Sequence, residues 1–224
     1  MLKINVNSEL IRRFAEIIKK ILKKIEAEEY EKALTDIDGA FKDFFRLGSK
    51  FFNALTEENL LDMVKTNNIM DIDKCIILAK LLFEEGRCLE KLHQDNESFF
   101  IYQKSLYLYI EAYIQAEEEV ELEQYFQDIE ILLFTVSDYK LTIKLQKQIV
   151  NYYFKAGKYD TAENLIYEIL EEENYNRDSL AYALNIYKEL LNKEDSELNN
   201  GNLPREEIIE SITNIEKRLT LSSL

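Results

Sequence analysis

The sequence predicts an all-α fold, and three observations predict it. Apolar residues recur at three- and four-residue steps along most of the chain, the spacing that lines one face of a helix. Five glycines and one proline in 224 residues, with abundant Leu, Ile, Glu and Lys, give a composition that leans to helix. No segment alternates with the period of two that marks a strand. A chain of this length can bury a sizeable core, which suits one domain over residues 1–224. Its 46% hydrophobic content excludes disorder as the main state.

The elements follow in order. A first helix spans about Ser8 to Ala27, where Leu10, Phe14, Ile17, Ile18, Ile21, Leu22 and Ile25 make a single stripe and Ser8 supplies an N-cap. A second, about Tyr30 to Leu47, buries Ala33, Leu34, Ile37, Ala40, Phe41 and Phe44 before Gly48-Ser49 breaks the pattern. A short helix follows Thr56, with Glu57-Glu58 at its positive end. Long helices run from about Asp71 to His93 and, after a polar turn at Gln94-Asp95-Asn96, on through Ala116. Val120 to Val136 makes another. The next starts at Asp138 and stops at Ala156-Gly157-Lys158, where Gly takes the left-handed end conformation. The remainder cover roughly Tyr159–Glu172, Arg177–Lys193 and Pro204–Leu221, with a linker near residues 198–203. Short turns make neighbouring helices antiparallel. The expectation is therefore an array of about nine to ten antiparallel helices.

Charge and cysteine usage bound the function. A net charge of −15 argues against nucleic-acid binding, which needs a positive face to neutralise phosphate. Cys75 and Cys88 are the only cysteines. Thirteen residues apart on one helix they stand roughly 20 Å apart and cannot pair, which suggests a reducing cytosol. Arg12, Arg13, Lys19 and Lys20 interrupt every N-terminal apolar run, so no signal peptide is expected there. The longest apolar run, Cys75 to Ala79, is far short of the ~20 residues that span a bilayer. A cytoplasmic protein without a membrane span is the expectation.

Catalytic and cofactor signals are weak. His93 is the sole histidine, which rules out histidine-pair metal motifs. Glu90 and His93 do form an ExxH, but di-iron bundles need two of these. No nucleophile-elbow, Walker or dinucleotide glycine pattern occurs. The chain is expected to be no enzyme and to carry no cofactor or metal.

Three places share a spaced pattern, a small residue followed by bulky and further residues four and three positions on. They are Ala33/Ile37/Ala40, Ser98/Tyr102/Ser105 and Ala162/Ile166/Ile169, which begin 65 and 64 residues apart. Ala156-Gly157-Lys158-Tyr159-Asp160-Thr161-Ala162 resembles the turn of a tetratricopeptide repeat (TPR), and Glu29-Tyr30-Glu31-Lys32-Ala33 is the same turn without glycine. Gly86 falls where that repeat places a small residue in its first helix, and Leu89 and Tyr153 fall at the large residue three further on. The spacing exceeds the usual 34 residues, no proline closes a unit, and Ile21 and Val150 stand where small residues belong. The pattern is a degenerate TPR-like array, an α-α superhelix. The whole chain is also similar to a family of small uncharacterised TPR-like proteins from low-GC Gram-positive bacteria, which brings no activity with it.

In TPR arrays the first helix of each hairpin lines a concave groove. The resemblance places Lys80, Phe83, Arg87 and Lys91 there in one unit, and Lys144, Lys147, Asn151 and Lys155 in the next. An acidic chain would then present a basic inner face suited to carboxylates. Lys147 and Asn151 match the Lys/Asn pair with which some TPR domains hold a peptide's C-terminal carboxylate; the other clamp residues have no counterpart. Elsewhere, Lys3, Arg12, Arg13, Lys19, Lys20, Lys23 and Lys24 outnumber Glu9 and Glu16 in the first 25 residues. The plain reading packs that helix on the second one with its lysines in water. Ser105 to Tyr139 holds nine acidic residues (Glu111, Glu117, Glu118, Glu119, Glu121, Glu123, Asp128, Glu130, Asp138) and no basic one, so head-to-tail self-association into a homo-oligomer is electrostatically favoured. The expected function is a non-enzymatic scaffold or adaptor that binds a protein or peptide, an acidic one by preference. The alternatives are a peptide-sensing regulator and a small-molecule enzyme in a helical bundle.

Overall fold

A computed structural model describes residues 2–117 and 120–221, with backbone alone for residues 2–7. Glu118 and Glu119 of the acidic stretch, and the side chain of Lys3, lie outside the described residues. The described residues are all-α save for one minute hairpin. The chain divides into two compact units, Met1–Lys140 and Leu141–Leu224.

Unit 1 contains α1 (Leu2–Glu26), α2 (Tyr30–Phe45), α3 (Ser49–Ala54), α4 (Glu57–Met63), α5 (Ile72–Lys91), α6 (Asp95–Gln115) and α7 (Asp128–Val136), the last preceded by a 3-10 turn, Glu123–Gln127. The apolar stripe of α1 packs on α2, with Phe14, Ile18, Ile21 and Ile25 buried against a helix that buries Ala33, Ile37, Ala40 and Phe41. Several basic residues of α1 meet acids of α2: Arg13 pairs with Asp43 at 2.8 Å, and Lys20 and Lys24 with Asp36 at 3.3 and 2.7 Å. Helix α1 begins at Leu2, so Ser8 lies inside it and does not cap it. Thr56 does cap α4, accepting from the Asn59 amide, and Asp71 caps α5 by accepting from the Lys74 amide at 3.1 Å.

Helix α5 is the axis of unit 1. It packs against α1, α2 and α6, and its buried residues run almost without interruption from Cys75 to Gly86. Gly86 is needed for this: a Cβ there would stand 2.7 Å from the Tyr102 ring of α6. About two helical turns away along α5, Ser105 of α6 donates to the Ala79 carbonyl at 2.8 Å. Small residues at the α5–α6 crossing thus let two large helices close on each other. Both cysteines are buried and unpaired.

No strand is expected from the residue pattern, yet β1 (Lys65–Thr66) and β2 (Ile69–Met70) pair antiparallel. Asn67 and Asn68 between them have φ of 53° and 62°, the two left-handed positions of a type I′ turn, which Asn tolerates well. Two-residue strands are too short to show periodicity.

Unit 2 contains α8 (Ile143–Lys155), α9 (Tyr159–Glu172), α10 (Arg177–Leu190), α11 (Asp195–Asn200) and α12 (Arg205–Leu221). Helix α8 starts at Ile143 and not at Asp138, because Thr142 caps it by accepting from the Leu145 amide at 3.3 Å. Gly157, at φ 73°, turns α8 into α9, with the Lys158 amide closing on the Tyr153 carbonyl at 2.9 Å. Helices α8 and α9 pack as a pair, as do α10 and α12. The stretch read as a linker is α11 and a packed turn: Leu198 and Leu203 are fully buried. The Gly201 carbonyl accepts from the Asp160 amide at 3.0 Å. A Cβ on Gly201 would lie 2.3 Å from the Tyr159 ring. With α3 and α11 added, the described residues hold twelve α-helices, against the expected nine to ten. Among them, no helix is long and apolar enough to cross a membrane.

Candidate functional site

The eight groove residues divide between the two units. Lys144, Lys147, Asn151 and Lys155 all lie on α8 at offsets of three, four and four, which keeps them on one face. Lys144, Asn151 and Lys155 are exposed, and Lys147 is partly buried. The opposite face carries Leu145, Ile149, Val150 and Tyr152 inward. Lys147 is held in place: its ammonium lies 3.4 Å from Glu173 and 5.0 Å from the Tyr182 ring centroid. The Tyr182 hydroxyl in turn donates to the Lys147 carbonyl at 3.2 Å. Burial pushes that phenol well above its ordinary range, so it stays a neutral donor.

On α5 the expectation of an accessible basic row fails for two residues of four. Lys80 is 6% exposed and Phe83 is 4% exposed. The Lys80 ammonium sits 2.8 Å from both Glu84 Oε1 and Asp128 Oδ2, and 4.9 and 5.3 Å from the centroids of Phe83 and Tyr125. Tyr109 donates to the same Asp128 oxygen at 3.0 Å. Arg87 closes the set, pairing with Glu84 Oε2 at 2.8 Å. Two cations face two carboxylates, the form in which charge survives burial. Burial and the Asp128 charge raise the Tyr109 phenol well above its usual value. The physical reason is that α5 packs against α1, α2 and α6, and that Asp128, the first residue of α7, and Tyr125 of the turn before it close on the Lys80 ammonium. Arg87 remains partly exposed and Lys91 exposed.

Sequence reasoning missed Glu84, Asp128 and Tyr109. Glu84 was recoverable, because Lys80 and Glu84 stand at i,i+4 on one helix face. Asp128 was not: 48 residues separate it from Lys80, and in the sequence it is one acid among nine. Glu90 and His93 fall on either side of the end of α5. Glu90 accepts from the Tyr102 hydroxyl at 2.6 Å, while His93 takes a left-handed φ of 58° past the end of α5.

A family of unknown function, DUF6483, matches residues 1–220. The chain belongs to that family. The DUF6483 match runs through the sequences of both units, so it embraces the α5 network and the α8 row alike. No curated protein and no solved structure matches the chain.

Proposed function

We infer that this DUF6483 member is a non-enzymatic scaffold or adaptor, TPR-like in its hairpins, that binds an acidic protein or peptide segment on the basic face of α8. The observation that carries the reading is the row Lys144, Lys147, Asn151 and Lys155, aligned on one helix face in a chain of net charge −15. A local positive row attracts carboxylates at short range, where it acts against the long-range repulsion of the chain's net negative charge. Glu173 and Tyr182 fix Lys147 before any partner arrives, which lowers the ordering cost of binding. The α8–α9 pair turns at Gly157 and Tyr159 as a TPR hairpin does, and that likeness supports a scaffold over an enzyme. The buried thiols Cys75 and Cys88 support a reducing, cytoplasmic setting.

The test is fluorescence anisotropy with a labelled Glu/Asp-rich peptide, as free acid and as C-terminal amide. The charge-reversed variant Lys144→Glu/Lys147→Glu/Lys155→Glu is expected to bind at least ~10-fold more weakly, since each exposed pair contributes about 0.2–1 kcal/mol. Preference for the free acid would place Lys147 and Asn151 on the terminal carboxylate. Equal affinity of variant and parent would remove the proposal.

A further inference from the structure

Unit 1 holds a cavity of about 520 Å³ between α2, α3, α5 and α6. Leu34, Leu89 and Phe100 give it hydrocarbon walls, and Phe100 is 61% exposed, an apolar ring left in water beside the opening. The polar end is built by Glu85 of α5 and Asn53 of α3. Glu85 is only 5% exposed. Its Oε1 accepts from the Asn53 side-chain amide at 2.8 Å and the Ser49 hydroxyl stands close enough to favour its charge, while Glu85 Oε2 and Asn53 Oδ1 are both buried and accept no well-formed hydrogen bond. Lys104 also lines the cavity, but it spends its ammonium on the Asn53 backbone carbonyl at 2.5 Å and makes no ion pair with Glu85.

Two orphaned acceptors, one of them a carboxylate oxygen, ask for a donor with positive charge. At the Glu85/Asn53 end an anion would meet these two acceptors, while Lys50 and Lys104 line the cavity away from them, Lys104 held on the Asn53 carbonyl. The terminal torsion of a glutamate is broad enough to turn its oxygen toward an arriving donor. A compact cation with three N–H donors satisfies both acceptors, and the walls ask for an apolar tail. We propose that this cavity is a binding site for a small primary amine with an apolar tail, its ammonium on Glu85 and Asn53 and its tail against Leu34, Leu89 and Phe100. The site is distinct from the α8 row and stands or falls without it.

Ammonium binding favours the ionised carboxylate. In the free protein burial, with Asp38 adding to it and Asn53, Ser49 and Lys104 opposing it, holds Glu85 up at about 7. Affinity therefore rises with pH from about 6 to 8, a window in which an aliphatic amine stays protonated.

The test uses the full chain and calorimetric titration at about pH 8 with phenethylamine, and with phenethyl alcohol as its neutral counterpart. Saturable binding of the amine is expected, at least ~10-fold tighter than the alcohol. Glu85→Gln, which keeps the shape of the side chain, is expected to lose at least ~10-fold in amine affinity together with the pH dependence. Phe100→Ser weakens the amine severalfold without disturbing a packed core, and Lys155→Glu leaves it unchanged. No saturable amine binding by the folded parent, or equal amine binding by Glu85→Gln, would overturn the proposal.

Discussion

The two helices that carry the candidate lysines differ in what surrounds them. Helix α8 buries one face and leaves the other to solvent, so Lys144 and Lys155 are exposed. Helix α5 is enclosed from Cys75 to Gly86, so its polar residues had to find partners inside the protein. The same residue type therefore does opposite work on the two helices. Lys80 compensates two buried carboxylates, whereas Lys144 and Lys155 stand exposed to solvent. A charged face on a helix announces a solvent surface only where no later segment folds over it.

This difference can be broken experimentally, most forcefully at Lys80. Lys80→Met leaves Glu84 and Asp128 short of their shared cation, and stability should fall by about 3–5 kcal/mol in urea denaturation. Lys155→Met should change it by less than about 0.5 kcal/mol. Comparable small losses for both would show that the α5 network is solvated.

Glu85 gives the next largest effect, with a sign set by burial. Its carboxyl is held up at about 7 in the folded chain, against an ordinary 4.5 in the unfolded one. Below about pH 4.5 it is protonated in both states and the fold keeps the full benefit. Between those values the unfolded chain ionises first, so stability is lost as pH rises and the loss levels off above about pH 7. Glu85→Gln removes this dependence and should gain about 2–4 kcal/mol on the parent between pH 4 and 8, read as the difference between two denaturation series.

Smaller effects sharpen the packing side. Gly86→Ala drives a methyl to 2.7 Å from the Tyr102 ring and should cost about 1–3 kcal/mol. Gly39→Ala, inside α2 with nothing within 4 Å of the new methyl, should instead stabilise by about 0.5–1 kcal/mol. Thermal denaturation of the two variants side by side checks the contrast.

Much of the fold was legible because helical periodicity is a local signal. The α1 stripe, the turn at Gly157 and the cap at Thr56 are all decided within a few residues. The parts that were not legible depend on distant partners or on very short segments. Leu198, Gly201 and Leu203 sit in a polar stretch that reads as a linker until Tyr159 is known to pack on Gly201. Asn67-Asn68 turns a hairpin of two-residue strands. Of the candidate site, the α8 row was readable from its offsets alone. The fate of Lys80 was not, because Asp128 and Tyr125 arrive from far along the chain, and nothing local distinguishes Glu85 from the other acids.

Binding of the acidic peptide on α8 and not on α5 is decided by its affinity for two matched charge reversals, Lys155→Glu and Lys91→Glu, in the full chain. Both residues are exposed, and both reversals change the net charge equally. A severalfold loss is expected with Lys155→Glu and none with Lys91→Glu. An equal loss with both, or a loss confined to Lys91→Glu, would contradict it.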